Sequence, residues 1–473
     1  MLNAKRRRSE PRAGPSPIEL SSDCYQDVLG GSEGKPEPDP PVRSSWLRRV
    51  EWIQRYPCHE CDGLPVVAAD DGVVKTEITS LQMRLCQVKR RLGPAAERCT
   101  EAWNSCYNNV STTGFREFVE ARRACNPYEV LGEGKSGGLN NLFMNRSAIK
   151  LANMNAMLDF CLTCYDGEGP FLFVDLCGAP GGFSEYILRR CHAMHIPACR
   201  GYGISLTGRN EHGQGTPWKL QDAVYFESGT HCSYRVCQGT DGTGDVFHWD
   251  NIKDVHDHLR EDCNELEPEQ EHSPEKVHLV VADGGFDAQR DSEHQEELAQ
   301  KLIVCEVAAG LALLRLAGTM IVKMFGFQTE VVRTVMHDLF FLFDSMIILK
   351  PISSRPASAE RYVVCSGFKG LPTRWDGPRW RNRMFLGKSM ALGPTTPGRC
   401  ENTSQRLNRY LDRFDCDLLT LNLKACFAIL SYLENKCMVV GRADYTEHTY
   451  FSAERALVNI ESYKYTWRLV YER

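Results

Sequence analysis

The sequence predicts an α/β protein: a doubly wound, mostly parallel sheet with an antiparallel last strand, flanked by N-terminal and C-terminal extensions. Three observations predict it. Short apolar runs alternate with helical segments from about residue 121 onward: "FLFVDL" (171–176), "VHLVVAD" (277–283), "TMIVKMF" (319–325), "SMIILKP" (345–351) and "RYVVCSGF" (361–368). The first run leads directly into the turn "CGAPGGF", where Gly178, Gly181 and Gly182 accompany Pro180. The connection between the last two runs is too short for a crossover helix, so it reads as a hairpin and the final strand as antiparallel.

Taken in order, residues 1–45 are rich in Pro, Ser, Gly and charge with no apolar period, and read as a disordered basic tail. Its run Lys5-Arg6-Arg7-Arg8 stands equally as a nuclear-localisation signal or a chance cluster. Residues 46–120, with segments such as "SLQMRLCQVKRRL", read as a helical N-terminal extension. The main domain spans 121–370. Within it, "NRSAIKLANMNAMLDFCLTC" carries Leu151, Met154, Leu158 and Cys161 at helical spacing. "EELAQKLIVCEVAAGLALLRLAG" reads as a helix stopped at Gly318. The acidic stretch "DVHDHLREDCNELEPEQEHSPEK" reads as a solvated surface insertion. Residues 371–473 form a C-terminal extension with helices of its own, for instance "LLTLNLKACFAILSYLENK".

Composition narrows the function. Lys plus Arg number 56 against 61 Asp plus Glu, a net charge of −5, so contact with nucleic acid must be local rather than a field over the whole surface. The 21 cysteines, beside a charged N-terminus and without an apolar run that reads as a signal peptide or membrane span, indicate reduced thiols inside a cell and no membrane partner. "CHEC" (58–61) and "CLTC" (161–164) together could hold zinc, but the second pair falls on a helical pattern with nothing placing it near the first; no metal is expected.

The glycine turn and four charged residues carry the chemistry. In an open parallel sheet, ligands bind beyond the carboxyl ends of the strands. "CGAPGGF" lies there, yet has neither dinucleotide nor P-loop spacing; a small cofactor with an adenosine end and an amino-acid end would fit. Asp283 and Lys323 stand at the tips of their strands, Glu360 at the start of the antiparallel one, and Lys150 on the helix before the first. Two lysines and two carboxylates at one edge exceed what packing requires. Desolvation and a neighbouring ammonium favour a neutral lysine able to take a proton, while the carboxylates hold and orient the amines.

At these residues the sequence resembles the FtsJ-type ribose 2'-O-methyltransferases, and among them the eukaryotic cap-specific mRNA enzymes with an adrift-type domain. The likeness rests on "FMNRSAIKLANMN", "DLCGAPGGFSEYIL", "VVADGGFD", "MIVKMF" and "KPISSRPASAERYVVCSGFKG", in that order, from about Asn126 to Gly370. It implies a Rossmann-like fold, S-adenosylmethionine as cofactor and a Lys-Asp-Lys-Glu tetrad at Lys150, Asp283, Lys323 and Glu360. It further implies cofactor contacts from Asn145, from Cys177, Gly178, Ala179, Pro180, Gly181, Gly182 and Phe183, from Asp245 and Val246, and from Asp283. Capped RNA would meet Arg122, Trp218, Lys219, Leu220 and Ser358. The implied reaction is methyl transfer to the ribose 2'-oxygen of the first transcribed nucleotide of 5'-capped mRNA, in the nucleus, with other capping or transcription factors as further partners. The alternatives left open are the second nucleotide, ribosomal or transfer RNA, and a catalytically silent RNA-binding module. The strand "GYGISL" lacks the acidic residue many FtsJ-type enzymes place at its end, which favours cap over ribosomal RNA.

Overall fold

The computed structural model describes residues 52–57, 71–107, 113–126, 129, 142–165, 167, 169–210, 213–220, 225–227, 230–266, 276–285, 294–372, 376–386 and 399–439. The expected tail, the Lys5–Arg8 run and the "CHEC" pair lie outside them. The strands are β1 (Trp52–Pro57), β2 (Phe171–Leu176), β3 (Ala198–Ile204), β4 (Arg209–Asn210), β5 (Gly213–Gln214), β6 (Tyr225–Glu227), β7 (Thr230–Cys237), β8 (Val277–Ala282), β9 (Leu314–Met324), β10 (Phe343–Lys350) and β11 (Arg361–Phe368). The helices are α1 (Asp71–Tyr107), α2 (Gly114–Cys125), α3 (Arg146–Met157), α4 (Gly182–Ala193), α5 (Trp249–Leu266), α6 (Gln295–Leu313), α7 (Glu330–Leu342), α8 (Gly377–Phe385) and α9 (Arg399–Val439).

Nine strands make one sheet in the order β1-β10-β11-β9-β8-β2-β3-β7-β6. Its centre is parallel, with β2 paired to β3 and β8, β3 to β7, and β8 to β9. The hairpin expected from the short connection is present: β11 runs antiparallel to both β10 and β9. All six residues of β2 are buried, as a central strand covered on both faces requires. One face packs on α5, α6, α7 and α8 through residues such as Val255, Val304, Val335 and Trp380. The other packs on α3 and α4 through Ile149, Leu151, Tyr186 and Ile187.

Three elements of the main sheet and its helices differ from the sequence reading. "WIQRYP", within the stretch read as helical, forms edge strand β1 and pairs Trp52 with Lys350 at the far end of the chain. The stretch read as a surface insertion begins inside α5, whose Ile252, Val255 and Leu259 are buried at helical spacing beneath an acidic outer face. The helix read as ending at Gly318 stops at Leu313, and Gly318 lies within β9.

The extensions pack on each other. Along α1, Val74, Ile78, Leu81, Leu85, Val88 and Leu92 fall at alternating spacings of four and three and meet Leu423, Cys426, Ile429 and Leu433 of α9. Lys436 of α9 is buried between Glu117 (2.8 Å) and Glu120 (2.9 Å) of α2, with its ammonium 5.3 Å from the Trp103 ring centroid. By length and composition α9 holds a segment, Gln405–Cys437, that could cross a membrane, contrary to the sequence reading. Its apolar residues are instead spent on packing: Leu407, Leu411 and Leu418 in the main core, Ile429 and Leu433 against α1.

Candidate active site

The turn after β2 is built around Asp175. Its carboxylate is fully buried and accepts from the backbone N–H (3.3 Å) and hydroxyl (2.7 Å) of Ser184, tying the strand to the first turn of α4. A Cβ at Gly178 would lie 2.3 Å from that carboxyl carbon, so only glycine fits. Burial pushes the Asp175 carboxyl up to about 7. Gly181 takes φ of 109° and opens α4 with no capping side chain of its own, while the Ser184 N–H of the first turn is taken by the Asp175 carboxylate. A side chain at Gly181 would strike Leu220 Cβ at 2.6 Å, because Lys219 and Leu220 both donate their N–H to Pro180 O. Asn145 caps α3 by accepting from Ser147 N and Ala148 N, and its Oδ1 would be 2.1 Å from a Cβ on Gly182. The two helix starts therefore abut.

Beside this turn the four charged residues converge. Lys150 lies one helical turn after Arg146 on α3 and reaches Glu360 at 3.0 Å and Asp283 at 3.7 Å. Lys323 pairs with Asp283 Oδ1 at 3.0 Å and donates to its backbone carbonyl at 2.6 Å. Two further residues join them. Tyr362 donates to Asp283 Oδ1 (2.8 Å) and lies 3.1 Å from Glu360 Oε1 and 3.2 Å from Lys150 Nζ; Ser147 donates to Asp283 Oδ2 (3.0 Å). Neither was singled out in the sequence, yet both were legible. Tyr362 follows Glu360 by two residues in an extended segment and shares its face, and Ser147 precedes Lys150 by three on a helix.

The electrostatics are specific. Burial drives Glu360 toward neutrality, but Lys150, Lys323 and Lys350 outweigh it and hold the carboxyl below its ordinary range. Burial likewise lowers Lys323, and Asp283 with Glu360 overcomes it, so the net shift is upward. The two carboxylates thus favour the ammonium form of Lys323, opposing the desolvation that favours the neutral amine.

Residues 143–368 match the FtsJ-like methyltransferase family. That segment is similar to an FtsJ-like methyltransferase domain. Over 266 residues it is 32% identical to cap-specific mRNA (nucleoside-2'-O-)-methyltransferase 1 of Danio rerio, covering 54% of this chain and 29% of that protein. The Mus musculus protein of the same name is 33% identical over 266 residues, covering 54% and 28%. That of Drosophila melanogaster is 32% identical over 254, covering 52% and 28%. The chain spans less than a third of the length of these relatives. A solved structure described as a ribosomal RNA methyltransferase from Plasmodium falciparum is 18% identical over 48% of this chain and 99% of that one, with a TM-score of 0.28.

Around the edge of the sheet lie the other expected contacts. Asp245 and Val246 are buried after β7, with Asp245 Oδ1 accepting from Phe247 N at 2.9 Å. Trp218 packs on Tyr234, with ring centroids 5.9 Å apart, and precedes Lys219 and Leu220, whose N–H groups both meet Pro180 O of the glycine turn. Ser358 abuts the tetrad, its hydroxyl accepting from Glu360 N at 3.2 Å. Arg122 belongs to a cluster no sequence pattern announced: the buried Glu129 carboxylate faces Arg146 (2.6 Å), Arg355 (3.0 Å) and Arg122 (3.5 Å). A cleft lined by Arg122, Asn126, Arg355 and Pro356 opens beside it. Cys161 and Cys164 are exposed on a short turn, and no group of three or more His, Cys, Asp or Glu among the described residues is arranged to hold a metal.

Behind the site, Glu306 of α6 is fully buried and accepts from Gly284 N at 3.1 Å, anchoring the loop that carries Asp283. Burial pushes its carboxyl up to about 8, with Lys323 pulling the other way. The folded protein therefore keeps a proton there that the unfolded chain gives up near ~4.3. The stability from that proton is whole below ~4 and drains as pH rises through about 8. Glu306→Gln should match wild type at acid pH and exceed it by about 2–4 kcal/mol at alkaline pH. Thermal unfolding across that range checks this; a variant whose stability fell with pH as steeply as wild type would show Glu306 to be charged.

Proposed function

We propose that this chain transfers a methyl group from S-adenosylmethionine to the ribose 2'-oxygen of the first transcribed nucleotide of 5'-capped mRNA, acting in the nucleus. The observation that carries the reading is the closed network Lys150–Glu360–Tyr362–Asp283–Lys323 beside the glycine turn. The name shared by the relatives favours the cap over other RNAs. The residues fit the cofactor: the N-terminus of α4 at Gly181, a turn that admits only glycine at Gly178, and a carboxylate at Asp283 suit a zwitterionic, cationic guest. When bound, that cofactor supplies an electrophilic methyl on a good leaving group.

The chain's own residues do the rest. Lys323 takes the proton of the attacking hydroxyl, or at least orients it. A positive charge brought to Asp283 offsets the carboxylate field that keeps Lys323 protonated, so loading the site and releasing the lysine's proton are coupled. Lys150, held by Glu360 and Tyr362, faces the developing alkoxide. Asp283 and Glu360 fix both amines, and most of the rate comes from alignment. Asn145, Cys177 to Phe183, Asp245 and Val246 surround the cofactor in this reading; Arg122, Trp218 to Leu220 and Ser358 meet the RNA. Further capping or transcription factors would be partners.

The test pairs short RNAs of one sequence, with and without a 7-methylguanosine cap, with labelled cofactor. Label should appear on the first transcribed nucleotide of the capped RNA; label on the second, or equal labelling of both RNAs, would replace this reading with one of its alternatives. Binding should show a shallow salt slope, since few phosphates are met, and Arg122→Ala should weaken capped RNA roughly tenfold and uncapped RNA less. Fluorescence anisotropy at two salt concentrations reads both.

A further inference from the structure

Helix α9, which begins at Arg399, lies outside the segment that matches the family, yet it turns buried polar groups toward the catalytic edge. Asn422 is 1% exposed and donates its amide to two backbone carbonyls of the β10–β11 loop, Pro356 O (2.5 Å) and Ser358 O (3.0 Å). From beneath, the buried Lys350 donates to Ser354 Oγ (2.9 Å), Ser358 O (2.9 Å) and Glu360 O (2.7 Å). The loop that ends in Glu360 is therefore gripped from two sides, by the sheet and by α9. Two helical turns earlier, Asp415 accepts from Phe327 N (3.0 Å) and Gln328 Nε2 (2.5 Å), just past the strand that carries Lys323. Leucine would fill the place of Asn422 at lower desolvation cost, so the amide's contribution is directional: it fixes where two carbonyls lie.

We infer that Asn422 is a positioning residue for methyl transfer, holding the Ser354–Glu360 loop so that Glu360 meets Lys150 and Ser358 faces the edge. On this account α9 is a working part of the catalytic edge. The kinetic part rests on the methyl-transfer reading above; the structural part does not.

The experiment uses the full chain with Asn422→Leu, and Ser431→Ala on an exposed position of the same helix as control. Hydrogen exchange should speed up at least about tenfold over Ser354–Glu360 in Asn422→Leu, with β2 unchanged. Where wild type turns over, kcat should fall about 10- to 100-fold while the KM for the cofactor stays within about twofold, because the glycine turn is untouched. Asn422→Gln, which keeps the amide, should recover part of the loss, and Ser431→Ala should change neither reading. Exchange within about twofold of wild type, or an undiminished kcat in the folded variant, overturns the inference. A wild type that exchanges as described but transfers no methyl overturns the functional reading alone. Should Asn422→Leu not fold, Asn422→Thr is read by the same two measurements.

Discussion

Lys323→Met is expected to lower methyl transfer by roughly 10³-fold or more, with cofactor affinity nearly unchanged. Methionine keeps the lysine's unbranched stem and ends one atom short of the amine, so Asp283 keeps its bonds from Tyr362 and Ser147. What goes is the amine that lies 3.0 Å from Asp283 Oδ1, the one group on the strand tip able to carry the hydroxyl's proton away. Because the carboxylates raise Lys323 above its ordinary range, wild-type kcat should also climb with pH through neutrality, and that slope should vanish in the variant. Single-turnover assays with labelled cofactor, alongside calorimetry, measure both effects. Turnover within tenfold of wild type would remove Lys323 from the chemistry and shift the search to Lys150.

Asp415→Ala is expected to cost about 3–5 kcal/mol of folding stability. Arg361 and Asp415 are each 3% exposed and form a direct ion pair. Arg361 also donates to Phe325 O at 3.2 Å and lies under two rings, 4.9 Å from Phe327 and 5.6 Å from Phe414. Removing the carboxylate strands a guanidinium with no water to solvate it and leaves Phe327 N without its acceptor. Urea unfolding of the full chain gives the number. A loss under about 1 kcal/mol would mean that solvent reaches Arg361 once the carboxylate is gone.

The central sheet was legible because its strands are short apolar runs bounded by a glycine turn and by charges at their tips, and because one connection was too short for a helix. The tetrad was legible for the same reason: Asp283, Lys323 and Glu360 interrupt apolar strands at the end where ligands bind. Other features were not. β1 alternates Arg and Gln with apolar residues like any amphipathic segment, and becomes a strand only because β10 offers an open edge. Ile252, Val255 and Leu259 were hidden by the acidic residues between them. The arginine cluster draws Arg122, Glu129, Arg146 and Arg355 from three distant stretches, so nothing local signals it. Whether Lys323 is neutral was not legible either, since it depends on how nearly Asp283 and Glu360 approach it.

The pairing of α1 with α9, and of β1 with β10, sets the order in which the molecule can be completed during synthesis. Both contacts join the first third of the chain to the last, so the ribosome exposes the apolar stripe of α1 long before its covering helix emerges. The central strands can pair once β11 has left the exit tunnel, but the loop bearing Glu360 must wait for Asn422 and the arginine beside it for Asp415. A growing chain halted near residue 400 would hold the glycine turn and all four charged residues and still present a sticky, half-built edge, the kind of surface that chaperones retain.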